Sequence, residues 1–453
     1  MKTIAAIATP LAVGGISVIR LSGEEAISLA EQIFQPVSGK KLSQMEGYTA
    51  AYGDIISQGN KIDDGVVLVY RAPKSYTGEN VVEISCHGGL LVSRNVLRAA
   101  LEAGAAPAQN GEFTKRAFLN GKMGLTQAEA VMDIINAQSD QAVKSAKTAM
   151  EGALYQSIRS VCDQLVAVAG HLSAWVDYPE EEIEQVETSH LLESLQQAES
   201  QMKELLEHYD VGRIIREGIE TAIVGKPNVG KSTLMNLMSG VQKSIVTDIA
   251  GTTRDVVEET VDIGGVILRL ADTAGIRDTQ DVVEQIGVDM AKKRMLHADL
   301  VLARFACSEE LSDQDKQLIE ELRGLPVIAV VNKTDLEQKL DTTYLQQHFQ
   351  RIVFISAKNT DGIDQLKQTI FSMLELEHID GSSPMIANER QKNCAQQAYQ
   401  MIQESIATLQ AGFTLDAVTV SIESAIESLL ELTGERVTDA VVDEVFSHFC
   451  VGK

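Results

Sequence analysis

The stretch Glu220-Thr-Ala-Ile-Val-Gly-Lys-Pro-Asn-Val-Gly-Lys-Ser-Thr233 runs from an apolar strand into a glycine-rich loop, and its reading decides how the rest of the chain divides. Gly225, Gly230, Lys231 and Ser232 stand at the spacing G-x-x-x-x-G-K-S. Glycines let the backbone wrap a phosphate, and the N–H groups that open the following helix point at its oxygens, where the helix dipole also favours negative charge. In such a loop Lys231 bridges the outer phosphates and Ser232 holds Mg²⁺.

Three further signals follow in order. Gly251-Thr-Thr-Arg-Asp255 stands where the first switch of a G protein presents a threonine to Mg²⁺. Asp272-Thr273-Ala274-Gly275 ends the apolar run Val266–Ala271; its Asp acts on Mg²⁺ through water and the Gly275 N–H senses a γ-phosphate. Asn332-Lys333-Thr-Asp335 follows the run Val327–Val331, and Ser356-Ala357-Lys358 follows Ile352–Ile355 and closes a base pocket. The Asp335 carboxylate can accept from both N1–H and the 2-amino group of guanine, a bidentate contact that adenine does not offer. Each short motif alone is weak; in this order, each at the carboxyl end of a strand, they point to GTP and away from an ATPase. The position after Gly275 is Ile276, which has no polar group to orient an attacking water, and residue-level reading leaves that role open.

A chain of 453 residues has room for two to four domains. Its 44% hydrophobic and 23% charged content is that of a globular protein. Cys86, Cys162, Cys307, Cys394 and Cys450 are scattered, odd in number and without C-x-x-C pairs, which fits free thiols in a reducing cytoplasm. The apolar run Ile4–Ala8 is too short for a signal peptide, and no run approaches a membrane span, so a cytoplasmic protein with no membrane partner is expected. The net charge is −25 but unevenly spread: residues 1–118 carry 11 basic and 11 acidic side chains, whereas 119–212 carry 5 and 16. A polyanionic partner should approach the N-terminal region or be gripped mainly by another protein.

Residues 1–118 read as short β-rich runs with helical stretches near Gly23–Phe34 and Leu90–Ala103, an α+β domain. Thr126-Gln-Ala-Glu129 reads as a capping box that opens helical material running through 119–212. Residues 213–378 alternate strands and helices in the way of a parallel α/β sheet. Long helices return over 379–453, the last of them placing Val442, Val445, Phe446 and Phe449 on one face. The fold expected is multidomain: an α+β N-terminal domain, an α-helical bundle, and an α/β P-loop G domain inserted into that bundle.

The chain resembles the MnmE (TrmE) family, the bacterial and organellar GTPases that modify the wobble uridine of tRNA. Thr3-Ile-Ala-Ala-Ile-Ala-Thr-Pro10, Ser75-Tyr-Thr-Gly-Glu79, Cys86-His-Gly-Gly89, Gly111–Lys122, Thr247–Asp255, Asp272–Arg277 and Phe449-Cys-Val-Gly-Lys453 carry the resemblance along essentially the whole length. It departs from the family pattern at Leu11-Ala-Val13, Asn110, Gly124, Phe305-Ala306 and Ile422-Glu423. The resemblance implies GTP contacts from Asn228, Val229, Gly230, Lys231, Ser232 and Thr233, and from Thr247, Asp248, Ile249, Ala250, Gly251, Thr252 and Thr253. It implies others from Asp272, Thr273, Ala274 and Gly275 and from Asn332, Lys333, Asp335, Ser356, Ala357 and Lys358. Mg²⁺ falls to Ser232 and Thr253. K⁺ falls to Asn228, Thr247, Ile249 and Thr252, standing where another GTPase has an arginine finger. Glu284 matches the acid that orients water; read from residues alone it is a solvated surface charge.

The N-terminal domain resembles folate-binding aminomethyltransferase-like domains, which implies a 5,10-methylene- or 5-formyl-tetrahydrofolate held by Arg20, Glu83, Lys122 and Lys453. Cys450 is open between packing beside Phe446 and Phe449 and a role in the modification step, and His87 is similarly open. The partners implied are a second copy of the chain, tRNA, and the FAD-bearing MnmG protein in a heterotetramer. The product implied carries an aminomethyl or carboxymethylaminomethyl group at C5 of the wobble uridine. The rival expectation is a regulatory GTPase switch, for instance in ribosome assembly, with an idle N-terminal domain; Arg20, Glu83, Lys122 and Lys453 standing together weigh against it.

Overall fold

A computed structural model describes residues 1–177, 188–226, 238, 259–271, 295–376 and 381–453. They form two compact units, one of Met1–Met132, Met150–Glu199 and Cys394–Lys453, the other of Asp133–Ala149 and Ser200–Asn393.

The first unit holds a seven-stranded sheet. Its strands are β1 (Ile4–Ile7), β2 (Ile16–Ser22), β3 (Phe34–Pro36), β4 (Thr49–Ser57), β5 (Asn60–Tyr70), β6 (Val81–His87) and β7 (Ala106–Pro107), in the spatial order β3-β4-β5-β6-β2-β1-β7. All pairs are antiparallel except β1 with β7. Because side chains alternate across a strand, Ile19 and Leu21 of β2, Val67 and Val69 of β5, and Val82 and Ile84 of β6 share one face. On that face they pack with Ala26, Ala30 and Ile33 of the helix Ala26–Ile33 and with Val96, Ala99 and Ala100 of the helix Leu90–Glu102, both at helical spacing. Burying each large side chain of this layer stabilises by about 1.5–3 kcal/mol. The intervening residues, Arg20 and Glu83 among them, belong to the opposite face.

Helical residues complete this unit. Ala153–Asp177 packs along Leu415–Thr433, with Ile158, Val161 and Leu165 buried on one helix and Ile422, Ala425 and Leu429 on the other. Arg159 ties the pair through Glu435, at 2.6 Å. The helix Asp439–Ser447 lies on the helix Glu112–Leu119, and Val442 and Phe446 join Leu125, Ala128 and Val131 in a core to which Phe449 also belongs. Phe449 shares the expected apolar face but lies beyond the helix, which ends at Ser447.

The capping box expected at Thr126 does not form. The helix Leu125–Asn136 begins one residue earlier, so Thr126 is already inside it, and its hydroxyl is buried with no hydrogen-bond partner among the described residues. The Gln127 side chain does the capping instead, accepting from the Gly124 N–H at 2.9 Å.

The second unit holds a six-stranded sheet built from β8 (Ile219–Gly225), β9 (Glu259–Asp262), β10 (Ile267–Ala271), β11 (Leu300–Ala306), β12 (Val327–Asn332) and β13 (Ile352–Phe354), in the order β13-β12-β11-β8-β10-β9. Only β9 is antiparallel to its neighbour. A parallel sheet is covered on both faces, which is why β8, β11 and β12 are nearly continuous apolar runs. Leu300, Leu302, Ile328 and Val330 face one core, and Val301, Ala303, Phe305 and Val331 face the other. The chain moves from β8 to the edge strand β9, comes back beside β8 as β10, and then crosses to β11 on β8's other side. The strand order therefore reverses between β8 and β11, and a crevice at the carboxyl ends of two such strands is where open α/β sheets take their ligands.

Candidate functional site

The carboxyl edge of the second sheet carries the described part of the nucleotide motifs. β8 ends at Gly225, whose φ of +136° and close approach to β11 exclude a side chain: a Cβ there would meet the Arg304 carbonyl oxygen at 2.7 Å. Lys226 follows and pairs with Asp315 at 2.6 Å. Asn228 to Thr233, Thr247 to Thr253, Asp272 to Gly275 and Glu284 lie outside the described residues.

At the end of β12 the buried Asn332 fixes two loops at once. Its Oδ1 accepts from the Lys333 N–H at 2.7 Å and from the Ala357 N–H at 3.1 Å, so the Asn332–Asp335 turn and the Ser356–Lys358 turn are held as one piece. Lys333 takes the left-handed conformation, φ 66°, that the sharp turn requires. The Ser356 hydroxyl donates to Oδ1 of the exposed Asp335 at 2.8 Å and orients its carboxylate. A carboxylate fixed at one oxygen on a sheet edge can accept two parallel N–H bonds from a planar base edge. Lys358 is exposed beside it.

In the first unit the antiparallel register sets Arg20 of β2 directly opposite Glu83 of β6, on the face away from the two helices. The Arg20 Nε donates to Glu83 Oε1 at 2.8 Å, and Nη2 reaches the same oxygen at 2.8 Å. The pair is half-buried, and three groups that sequence reasoning missed surround it. The Tyr76 and Phe113 rings lie 5.8 and 5.6 Å from the guanidinium carbon, while the Tyr70 hydroxyl is 3.4 Å from Glu83 Oε2. Burial raises the Tyr70 and Tyr76 pKa values, with the Glu83 charge adding to the effect at Tyr70. Alternation along β5 puts Tyr70 on this face, but only the register shows that it reaches Glu83.

Segment 450–453 completes the surroundings. Arg20 Nη1 donates to the Gly452 carbonyl at 3.3 Å, and the Lys453 carbonyl accepts from the Phe113 N–H at 3.1 Å. The backbone that carries Lys453 is thereby set beside Arg20. Lys122 is exposed and donates to the Pro73 carbonyl at 3.1 Å. Cys450 is exposed, which removes the reading of it as packing: the helix has ended at Ser447, so its spacing from Phe446 no longer turns it inward. His87 is exposed as well, with Nδ1 2.8 Å from Asp63 Oδ1. The hydrogen bond and charge of Asp63 raise the His87 pKa; burial would raise that of Asp63, but the His87 backbone and ring bonds outweigh it and lower it. Among the described residues no helix is long and apolar enough to cross a membrane.

Comparison with known proteins bears on both units. A family profile described as "MnmE helical domain" matches residues 125–450, and one described as "GTP-binding protein TrmE N-terminus" matches 3–122. The tRNA modification GTPase MnmE of Clostridioides difficile is 40% identical over 100% of this chain and 99% of its own length. That of Bacillus subtilis is 41% identical over the full length of both. Among solved structures, Aquifex aeolicus Era is 28% identical over 40% of this chain and 66% of that one, with a TM-score of 0.29, too low to carry an argument. Family profiles that meet near residue 124 and relatives that align from end to end leave no segment to another ancestry: the chain belongs to the MnmE (TrmE) family of tRNA modification GTPases.

Proposed function

We propose that this chain is a homodimeric, K⁺-activated GTPase that works with the FAD-bearing MnmG protein to place an aminomethyl or carboxymethylaminomethyl group at C5 of the wobble uridine of certain tRNAs. The relatives named above are tRNA modification GTPases, and the observation that carries the reading for this chain is the pairing of two sites in one sequence. One is the guanine-type edge in which Asn332 and Ser356 fix Asp335; the other is the Arg20–Glu83 face with its flanking rings. The four-part division at 118, 212 and 378 and a cytoplasmic setting belong to the same proposal.

The Arg20–Glu83 face fits a one-carbon tetrahydrofolate. A half-buried carboxylate suits the amino and N–H groups of a pterin, the flanking Tyr76 and Phe113 rings suit a flat heterocycle, Arg20 serves the site by fixing the Glu83 carboxylate, and Lys453 suits the glutamate carboxylates. When bound, the folate supplies the methylene carbon. The protein's part is to orient it: Tyr70 and Arg20 hold the Glu83 carboxylate, and Lys122 stands exposed at the Pro73 loop for the outer carboxylates. Cys450 is exposed to solvent and is assigned to the same chemistry. The residues proposed for Mg²⁺ (Ser232, Thr253) and K⁺ (Asn228, Thr247, Ile249, Thr252), with Glu284 as the group that orients water, lie outside the described residues, and no step is derived through them. The balanced charge of residues 1–118 against an overall −25 supports a division of labour in which the partner protein supplies much of the tRNA grip.

The test is nucleoside mass spectrometry of tRNA from cells lacking the chain, complemented with the wild type or with Asp335→Asn. Loss of the C5-aminomethyl-type group, its return with the wild type and its absence with Asp335→Asn are expected. Unchanged nucleosides in the deletion strain would favour the regulatory GTPase switch.

A further inference from the structure

Behind the Arg20–Glu83 face lies a buried arginine that the proposed reaction does not use. Arg116, on the helix Glu112–Leu119, is 3% exposed. Its Nη1 donates to both carboxylate oxygens of Glu79, at 3.3 and 3.1 Å. Its Nη2 donates to the Lys2 carbonyl and to Glu112 Oε1, each at 2.8 Å. Glu79 Oε2 also accepts from the Ser22 hydroxyl at 2.7 Å. Ser22 is two residues beyond Arg20 on β2, so alternation gives both to one face, and Ser22 is fully buried there.

Two carboxylates on one buried guanidinium are a poor source of stability, because apolar side chains of similar volume hold a core as well or better. The Arg116 Nε, moreover, has no partner among the described residues. What such a set provides and apolar packing does not is direction: a guanidinium is a rigid planar fork, and its bonds fix the angle as well as the distance of what they hold. Here they hold the loop 75–79. The helix Glu112–Leu119 and its cap grip that loop at three places. Arg116 takes the Glu79 carboxylate, the Asn120 amide donates to the Thr77 carbonyl at 2.7 Å, and the Thr114 hydroxyl lies 2.9 Å from the Tyr76 hydroxyl. These contacts fix the Tyr76 ring, 5.8 Å from the Arg20 guanidinium carbon, while Phe113 of the same helix sets the second ring at 5.6 Å. The helix thus supplies one ring directly and the other through Arg116 and Glu79, and Ser22 ties the same carboxylate to the strand of Arg20.

We propose that Arg116 is a positioning residue for the Arg20–Glu83 site: through Glu79 it sets where the Tyr76 ring stands beside the Arg20 guanidinium, and so the spacing of the two rings that a flat heterocyclic ligand meets. The assignment rests on the folate reading of that face. It follows that affinity and stability separate. Removing both charges of the Arg116–Glu79 pair spares the fold and loosens the ring that the ligand contacts.

The experiment uses the purified full chain carrying 3-fluorotyrosine, with the Tyr76 resonance assigned by its loss in Tyr76→Phe. Three variants are compared with the wild type: the apolar pair Arg116→Met/Glu79→Met, Arg116→Lys, and Thr114→Val. Fluorine NMR follows the Tyr76 ring, titrations with 5-formyl-tetrahydrofolate and with GDP give the affinities, and thermal melts report the fold. The apolar pair should melt with the wild type, bind GDP as the wild type does, shift or broaden the Tyr76 resonance, and bind the folate about tenfold more weakly. Arg116→Lys keeps the charge without the fork and should fall between. Thr114→Val removes only the partner of the Tyr76 hydroxyl and should move the same resonance and weaken folate binding. Wild-type folate affinity in the folded apolar pair, whether or not Tyr76 moved, would overturn the proposal; if the pair does not fold, the same result in Thr114→Val would do so. An equal loss of GDP and folate affinity would also overturn it, as the mark of a purely structural charge set. A wild type that bound no 5-formyl-tetrahydrofolate, with Tyr76 still displaced in the variants, would sink the folate reading and keep Arg116 as the residue that sets the ring.

Discussion

Single side chains decide which atoms reach solvent, and Cys450 gives the sharpest case. Four of the five thiols are buried, with burial pushing Cys86 up to about 11 and raising Cys162, while Cys450 is exposed. Thiolate is the reacting form, so native protein treated with a chromogenic disulfide should show one fast thiol, and Cys450→Ser should abolish that phase; several fast thiols would contradict the burial pattern. Asp63 and His87 make a second residue-scale prediction. The raised His87 value means its contribution is complete below the ordinary histidine value, about pH 6.5, and is lost as pH rises through the raised one. The lowered Asp63 value means its contribution is present above the ordinary carboxylate value and is lost as pH falls through the lowered one. The stability gap between wild type and Asp63→Asn should therefore be widest near pH 5–6 and narrow toward about pH 8; a gap that widened with pH would remove the pair as its source. In sequence these residues were only half legible. His87 and Cys450 stood out by their motifs, but exposure depends on where a helix stops and on which strand lies opposite, and neither is written locally.

Elements show the same contrast between local signal and context. Thr126-Gln-Ala-Glu129 has the letters of a capping box and does not form one, whereas Ser312-Asp-Gln-Asp315 opens the helix Asp313–Glu321 with both reciprocal bonds in place. The difference is the entry of the chain: Ser312 is extended, φ −83° and ψ 169°, and so outside the helix, while Thr126 is preceded by a helical residue. Ser312→Ala should cost about 1 kcal/mol in urea unfolding. Because Asp315 also holds Lys226, the same change should make the start of the phosphate loop more accessible to proteolysis; unchanged unfolding would show that solvent replaces the cap. Strand existence was easy to read, since β2, β5, β8, β11 and β12 announce themselves as alternating or continuous apolar runs. Register was not, because hydrogen-bond pairing between strands depends on turns and neighbours far away in sequence, and it is register that makes Arg20 and Glu83 a pair.

At the scale of the whole molecule the motif order revealed the family and the nucleotide fold, while the make-up of the Arg20–Glu83 face needed the three-dimensional chain. The family resemblance sets Lys453 with Arg20, Glu83 and Lys122, but does not say how the backbone of 450–453 lies against β1 and the helix Glu112–Leu119. Gly452 makes that possible: at φ +98° it passes so near β1 that a Cβ would meet the Ile7 carbonyl oxygen at 2.5 Å. Gly452→Ala should therefore destabilise the first unit by about 1–3 kcal/mol through strain and displacement of the segment, and weaken tetrahydrofolate binding in a calorimetric titration. Folate affinity equal to wild type would show that the segment is not part of the site. The bond from Arg20 to the Gly452 carbonyl joins positions 432 apart. During synthesis the N-terminal sheet leaves the ribosome early and is free to fold, as N-terminal domains do, but Arg20 waits for almost everything else to be made. A ribosome that stalls at any point in between releases a folded sheet in which Arg20 still lacks its bond to Gly452, so the Arg20–Glu83 face proposed above as a ligand site is unfinished in every incomplete chain.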